Sequence, residues 1–256
     1  MLTINPLKSS LHQGKPVYGL LNSVPGPWLA EMIGRAGYDF VILDMEHLLV
    51  SEETLRHSLQ AVLLTGCTPL VRVPAADAKL IGRLLDAGAR GIVLPQTDSA
   101  ATVARTIAAC RFPPLGRRGI TGGPITGFGT LKLDDYIRLA NDNIMVVPMI
   151  ESRAGLDALP EILALEGVDM VLEGALDLAL DMGLGPQPQD PQVEQAIGRL
   201  AAQCLDAGVP FCANPRSPEQ AARWRQAGIT AWLAGEDRGY LCQALRSRLA
   251  DLRKDT

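Results

Sequence analysis

Phe40-Val41-Ile42-Leu43-Asp44-Met45-Glu46-His47 sets an unbroken apolar run directly against three ionisable side chains. A short apolar run without polar alternation describes a strand covered on both faces, the form parallel strands take beneath helices. Ionisable groups where such a strand ends are costly to bury unless paired, so Asp44, Glu46 and His47 are expected to line a polar pocket. The alternative is a cluster at a helix N-terminus that satisfies backbone amides.

The pattern repeats along the chain. Residues 17–21, 40–44, 70–73, 91–94, 144–150, 170–172, 211–213 and 231–234 read as strands. Between them, 51–64, 79–87, 99–109, 156–165, 193–207 and 218–227 read as amphipathic helices, and Gly37, Gly88, Gly208 and Gly228 supply stop signals. Eight strands alternating with helices over 256 residues predict an α/β protein built as a (β/α)₈ TIM barrel. An open doubly wound sheet fits less well, because no G-x-G-x-x-G follows the first strand. No low-complexity linker divides the chain, so residues 1–256 read as one domain, with the Gly- and Pro-rich stretch 112–130 as its longest loop.

Composition excludes several functions. Apolar residues make up 47%, and 24 basic against 28 acidic residues leave a net charge of −4, without the basic surplus of a nucleic-acid binder. The uncharged stretches are too short and too broken by Pro or Gly to cross a bilayer, and the N-terminal residues lack the apolar core of a signal peptide. Five widely spaced cysteines form no C-x-x-C, which fits buried thiols in a reducing cytoplasm. Only three histidines, His12, His47 and His57, make a poor supply for an all-His metal cage, so a metal here is expected to use carboxylates.

In a barrel of this kind chemistry belongs at the C-terminal strand ends. His47 beside carboxylates suits a general base, with a carboxylate fixing its tautomer. Arg72, inside Val71-Arg72-Val73-Pro74, would point into the barrel mouth, to bind a carboxylate or enolate oxygen or to form an internal salt bridge. Glu151 and Asp177 close the fifth and sixth strands, near enough to grip one hard divalent cation; each also reads separately, as a salt-bridge partner and a helix cap. Glu173 is a further candidate without an assigned role. The segment 115–123 lacks the Lys-Ser/Thr of a P-loop, and reads as a lid whose arginines meet substrate or as a plain flexible loop.

Taken in order, these pieces resemble the HpcH/HpaI family of metal-dependent pyruvate aldolases, barrels of the PEP/pyruvate-binding type. The resemblance is carried by Asp44-Met45-Glu46-His47, Val71-Arg72-Val73-Pro74, Leu84-Leu85-Asp86-Ala87-Gly88 and Phe112-Pro113-Pro114-Leu115-Gly116-Arg117-Arg118-Gly119. It continues through Ile150-Glu151, Glu166-Gly167-Val168-Asp169 and Asp177-Leu178 to Asp181-Met182-Gly183. It implies that Glu151 and Asp177 hold Mg²⁺ or Mn²⁺, and that Arg72 binds a 2-oxo acid and stabilises its enolate, with Asp44 and Glu46 in the same substrate pocket. It further implies that His47, oriented by Asp86, moves protons, and that the chain forms a homo-oligomer with an exchanged terminal helix. Two departures stand out: Met149 replaces a Gln, and Gly174-Ala175-Leu176-Asp177-Leu178-Ala179 replaces a G-P-x-D-L-S pattern.

The C-terminal third is similar to a smaller branch, the siderophore-pathway citrate synthases of the staphyloferrin B type. Phe211-Cys212-Ala213-Asn214-Pro215-Arg216 and Gly235-Glu236-Asp237-Arg238-Gly239 carry that similarity, with Glu173-Gly174 and Gly119-Ile120-Thr121-Gly122-Gly123. The branch condenses oxaloacetate with acetyl-CoA as co-substrate. The 2-oxo acid then becomes the electrophile, and the metal is expected to be dispensable. Aldol cleavage of a 4-hydroxy-2-oxo acid is the competing expectation, and a catalytically silent binding barrel is the third.

Overall fold

The computed structural model describes residues 1–254, so the last two positions of the 1–256 span lie outside the described residues. Eight parallel strands close into a barrel in sequence order: β1 (Val17–Asn22), β2 (Phe40–Asp44), β3 (Thr68–Arg72), β4 (Gly91–Leu94), β5 (Met145–Ile150), β6 (Val171–Glu173), β7 (Phe211–Ala213) and β8 (Ala231–Glu236). Every expected strand is present, with ends displaced by a few residues. The helices are α1 (Pro6–His12), α2 (Pro27–Arg35), α3 (Glu52–Leu64), α4 (Ala78–Ala87), α5 (Ala100–Cys110), α6 (Leu133–Asn143), α7 (Arg153–Leu163), α8 (Ala175–Asp181), α9 (Pro191–Asp206), α10 (Pro218–Gln226) and α11 (Asp237–Lys254).

Local chemistry sets the helix ends. Ser51, Ser99, Ser152 and Ser217 each accept a hydrogen bond from a first-turn amide, as do Asp77 and Asp190. At the other end Gly88, with φ 115°, takes the left-handed turn that stops α4. No expected helix covered α1, whose seven residues are too few to show a period. Its Leu7 and Leu11 join the lumen cluster, and Asn5 donates to the carbonyls of Arg90 and Asn143, so α1 closes the end where the strands begin.

Successive strand side chains point to opposite faces, so alternate residues fill the lumen. Phe40 and Ile42 of β2, Leu70 of β3, Met145 and Val147 of β5, Leu172 of β6 and Met170 just before it form that inner cluster. A second cluster lies between the strands and the surrounding helices. α11 packs differently: only Asp237 is buried, while Leu241, Leu245, Leu249 and Leu252 face outward. Among the described residues no helix is long and apolar enough to cross a membrane.

The loop after α5 carries a correction. Arg118, read as a candidate substrate contact on a lid, is turned inward: it lies 2.7 Å from Asp86, donates to the Tyr136 hydroxyl at 2.9 Å and stacks over the Phe112 ring. A buried guanidinium held by a carboxylate, a hydroxyl and a ring fastens the loop to the barrel wall.

Candidate active site

The lumen columns run straight into the mouth. Phe40 and Ile42 are followed on the same face by Asp44, Leu70 by Arg72, and Met145, Val147 and Met149 by Glu151. Asp44 and Arg72 are direct partners in the β2–β3 register. Arg72 donates from Nε to Asp44 Oδ1 at 2.8 Å and from Nη2 to Oδ2 at 2.9 Å, a two-pronged pair, and its Nη1 lies 3.1 Å from Glu46 Oε2. Burial works against the Arg72 charge, but the Asp44 hydrogen bonds and the charges of Asp44, Glu46 and Glu151 outweigh it and raise its pKa. Arg72 is therefore a fixed cation. The Met149 thioether sits 4.0 Å from its Nη1, so no side-chain amide of residue 149 reaches it.

Glu151 follows β5 and is buried. Its Oε1 accepts from the Gln96 backbone N–H at 2.5 Å, and Gln96 Nε2 donates to Glu46 Oε1 at 3.3 Å. Gln96 holds a φ of 46°, a strained region for a residue with a Cβ, and nothing in the sequence around it signals this role. Burial pushes the Glu151 carboxyl up to about 7; the Gln96 amide opposes this, Glu46 and Asp177 add to it, and Arg72 opposes it. Glu46 is raised too, chiefly by burial, against the pull of Arg72.

Asp177 lies in the first turn of α8, where its charge reaches both glutamates. Among the described residues no group of three or more His, Cys, Asp or Glu is arranged around a common metal position. Two carboxylates under mutual repulsion, with substrate and water for the other positions, nonetheless fit a hard divalent cation. Glu151 and Asp177 are the residues that would hold it.

A stability measurement checks the state of Glu151. The unfolded carboxyl titrates near 4.5 and the folded one near 7, so its contribution is full below the first value and lost as pH rises through the second. In chelator-treated protein, Glu151→Gln is expected to gain about 2–3 kcal/mol relative to the parent between pH 5 and pH 8 in urea denaturation. A difference that stays constant across that range would contradict the assignment.

Within this chain His47 and Asp86 are not brought together. His47 is exposed and lies 3.6 Å from Glu46 Oε2, whereas Asp86 pairs with Arg118. The physical reason is topological: α4 runs back toward the start of β4, and Asp86 stands near its end, away from the strand tops. Within this chain Glu46, not Asp86, is the carboxylate beside His47.

The sequence reading left Glu173 without a role and assigned none to Arg216. Glu173 ends β6 with its side chain fully buried; Oε1 accepts from the Asn214 N–H and Oε2 from Arg216 Nη1, each at 2.9 Å. Burial raises the Glu173 pKa, against Arg216 and the Asn214 amide. These groups share a mouth cavity of about 110 Å³ with Arg72, Met149 and Asp177. Cys212 belongs to the lumen cluster, and burial raises its thiol pKa, which keeps it protonated and poorly nucleophilic.

Known proteins resemble this chain over most of its length. A model of the HpcH/HpaI aldolase/citrate lyase family matches residues 19–244. A hydroxypyruvate/pyruvate aldolase of Delftia acidovorans is 34% identical over 252 residues, 98% of this chain and 94% of that protein. The crystal structure of the citrate synthase SbnG superposes with a TM-score of 0.89 at 36% identity, covering 97% of this chain and 98% of that one. A HpcH/HpaI aldolase/citrate lyase family protein from Burkholderia cenocepacia gives 0.90 at 33% identity, covering 97% and 99%. With a matching barrel, the match over residues 19–244 and charged groups at the strand ends, the chain belongs to the HpcH/HpaI aldolase/citrate lyase family and is a carbon–carbon lyase or synthase.

Proposed function

We propose that this barrel, residues 1–256 read as one domain, binds a small 2-oxo acid at Arg72 and forms citrate from oxaloacetate and acetyl-CoA, as a step toward a carboxylate siderophore. The observation that carries the reading is the buried Arg72, clamped by Asp44 and Glu46 beside a cavity of about 110 Å³. Sites for drug-sized molecules run to roughly 300–1,000 Å³, so this one suits an acid of a few carbons and leaves CoA outside. The thioether of Met149 in place of an amide, and the 36% identity to a citrate synthase, support condensation over cleavage.

In this reading Arg72 polarises the ketone and takes the developing negative charge on its oxygen. Exposed His47, 3.6 Å from Glu46, acts as the base that removes a proton from the acetyl methyl group. The resulting electron pair forms the bond to the ketone carbon, the ketone oxygen takes up the proton that His47 removed and becomes the hydroxyl, and water cleaves the thioester to give the carboxylic acid and CoA thiol. Mg²⁺ or Mn²⁺, when bound by Glu151 and Asp177, supplies Lewis acidity toward the ketone. Those two carboxylates favour the second reading, metal-dependent aldol cleavage of a 4-hydroxy-2-oxo acid to pyruvate and an aldehyde. The outward leucines of α11 support a homo-oligomer, and five free cysteines, four of them buried and Cys242 exposed, support a reducing, cytoplasmic setting.

Thiol release from acetyl-CoA with oxaloacetate, with citrate identified by mass spectrometry, tests the reading. Citrate is expected with and without EDTA. Absence of citrate, together with pyruvate from a 4-hydroxy-2-oxo acid and Mg²⁺ or Mn²⁺, would return the chain to the aldolases.

A further inference from the structure

The mouth cavity holds a second guanidinium. Arg216 lines the same space as Arg72, and it is held from behind. Its backbone N–H donates to the buried Gln220 side chain at 2.7 Å, its carbonyl accepts from Gln189, and Ser217 beside it caps α10. Its side chain uses only Nη1, which donates to Glu173 and to the Asn214 carbonyl at 3.0 Å. Among the described residues Nε and Nη2 make no hydrogen bond, although the side chain is only 17% exposed.

The two arginines are committed differently. Arg72 gives two nitrogens to Asp44 and sets the third beside Glu46. Glu173 is satisfied on both oxygens, so it asks nothing of a ligand, while Arg216 keeps most of its fork unspent. Asp177 lines the same cavity and repels an anionic group placed against it. A ligand with its 2-oxo carboxylate head at Arg72 therefore has one favourable place for a second carboxylate, on the Arg216 side, within a cavity a few carbons across.

We propose that Arg216, positioned by Glu173, is the specificity-determining residue of this site and binds the distal carboxylate of a short dicarboxylic 2-oxo acid. The assignment rests on the 2-oxo acid reading of the cavity and goes further, since it sets dicarboxylates apart from monocarboxylates. A fork that meets a carboxylate through two parallel hydrogen bonds discriminates strongly, because an acid lacking that group leaves the donors unfilled.

The test is calorimetric titration of the full-length protein with oxaloacetate and with pyruvate, for the parent, Arg216→Gln and Arg216→Lys. The parent is expected to favour oxaloacetate. Arg216→Gln should weaken oxaloacetate by about 10- to 100-fold and pyruvate by less than about threefold. Arg216→Lys keeps the charge opposite buried Glu173, and so guards against misfolding. Its single ammonium cannot serve Glu173 and a ligand fork together, so oxaloacetate should weaken by about tenfold. Equal losses for both acids would make Arg216 a structural partner of Glu173 and overturn the assignment, as would an unchanged ratio in both variants. Failure of the parent to bind either acid would overturn the reading of the cavity and this assignment with it.

Discussion

Arg72→Ala is expected to reduce turnover at least about a thousandfold on whichever 2-oxo acid the enzyme uses. Removing a single well-aimed donor from a developing oxyanion costs about 10²–10³ in rate. Arg72 is the guanidinium at the centre of the mouth, so its loss takes the charge for substrate binding and for the transition state together. The same change strands buried Asp44 and the adjoining Glu46, both of which pair with Arg72, and breaking a buried pair costs about 3–5 kcal/mol. Arg72→Lys separates the two effects. It retains the charge and the fold but cannot reproduce the two-pronged contact with Asp44, so kcat/KM should fall by about a hundredfold while the circular dichroism spectrum stays that of the parent. Near-parent turnover in either variant would remove Arg72 from the mechanism.

The barrel was legible because parallel strands buried on both faces leave compact apolar runs, and eight of them are spaced by helix-length segments. The site was legible where it continues those runs, since Asp44, Arg72 and Glu151 each extend a lumen column by one inward position. What stayed hidden depends on contacts across the sequence. Gln96 contributes a backbone amide through a left-handed turn, and neither is written in its residue type. Arg216 acquires its role from Glu173, 43 positions away, and from the cavity both share. The pairing of Asp86 with His47 came from the family resemblance alone, and within this chain Asp86 pairs with Arg118 instead.

Gly174→Ala is expected to damage the active site out of proportion to the single methyl group it adds. The backbone there needs no glycine, since φ is −128°; the space does. A Cβ would stand 2.4 Å from Glu151 Cβ, 2.5 Å from its Oε2 and 2.9 Å from Met149 Cε. The first contact is with an atom fixed to the backbone just after β5, so no rotamer change relieves it, and either Glu151 or the start of α8, which carries Asp177, must move. Overpacking of this kind costs about 1–3 kcal/mol. A misplacement of about 1 Å in a catalytic array can cost about a hundredfold in rate. The expected result is therefore a folded enzyme, less stable in urea, with kcat down by about a hundredfold or more and any Mg²⁺ or Mn²⁺ affinity weakened in parallel. Gly198→Ala is the control: it adds the same methyl inside α9 with nothing within 4 Å, and should leave turnover unchanged while stabilising the helix by about 0.4–1 kcal/mol. If Gly174→Ala turns over like the parent while Gly198→Ala behaves as described, the close approach of β6 to Glu151 has no part in catalysis, and the chemistry rests on Arg72 and its neighbours alone.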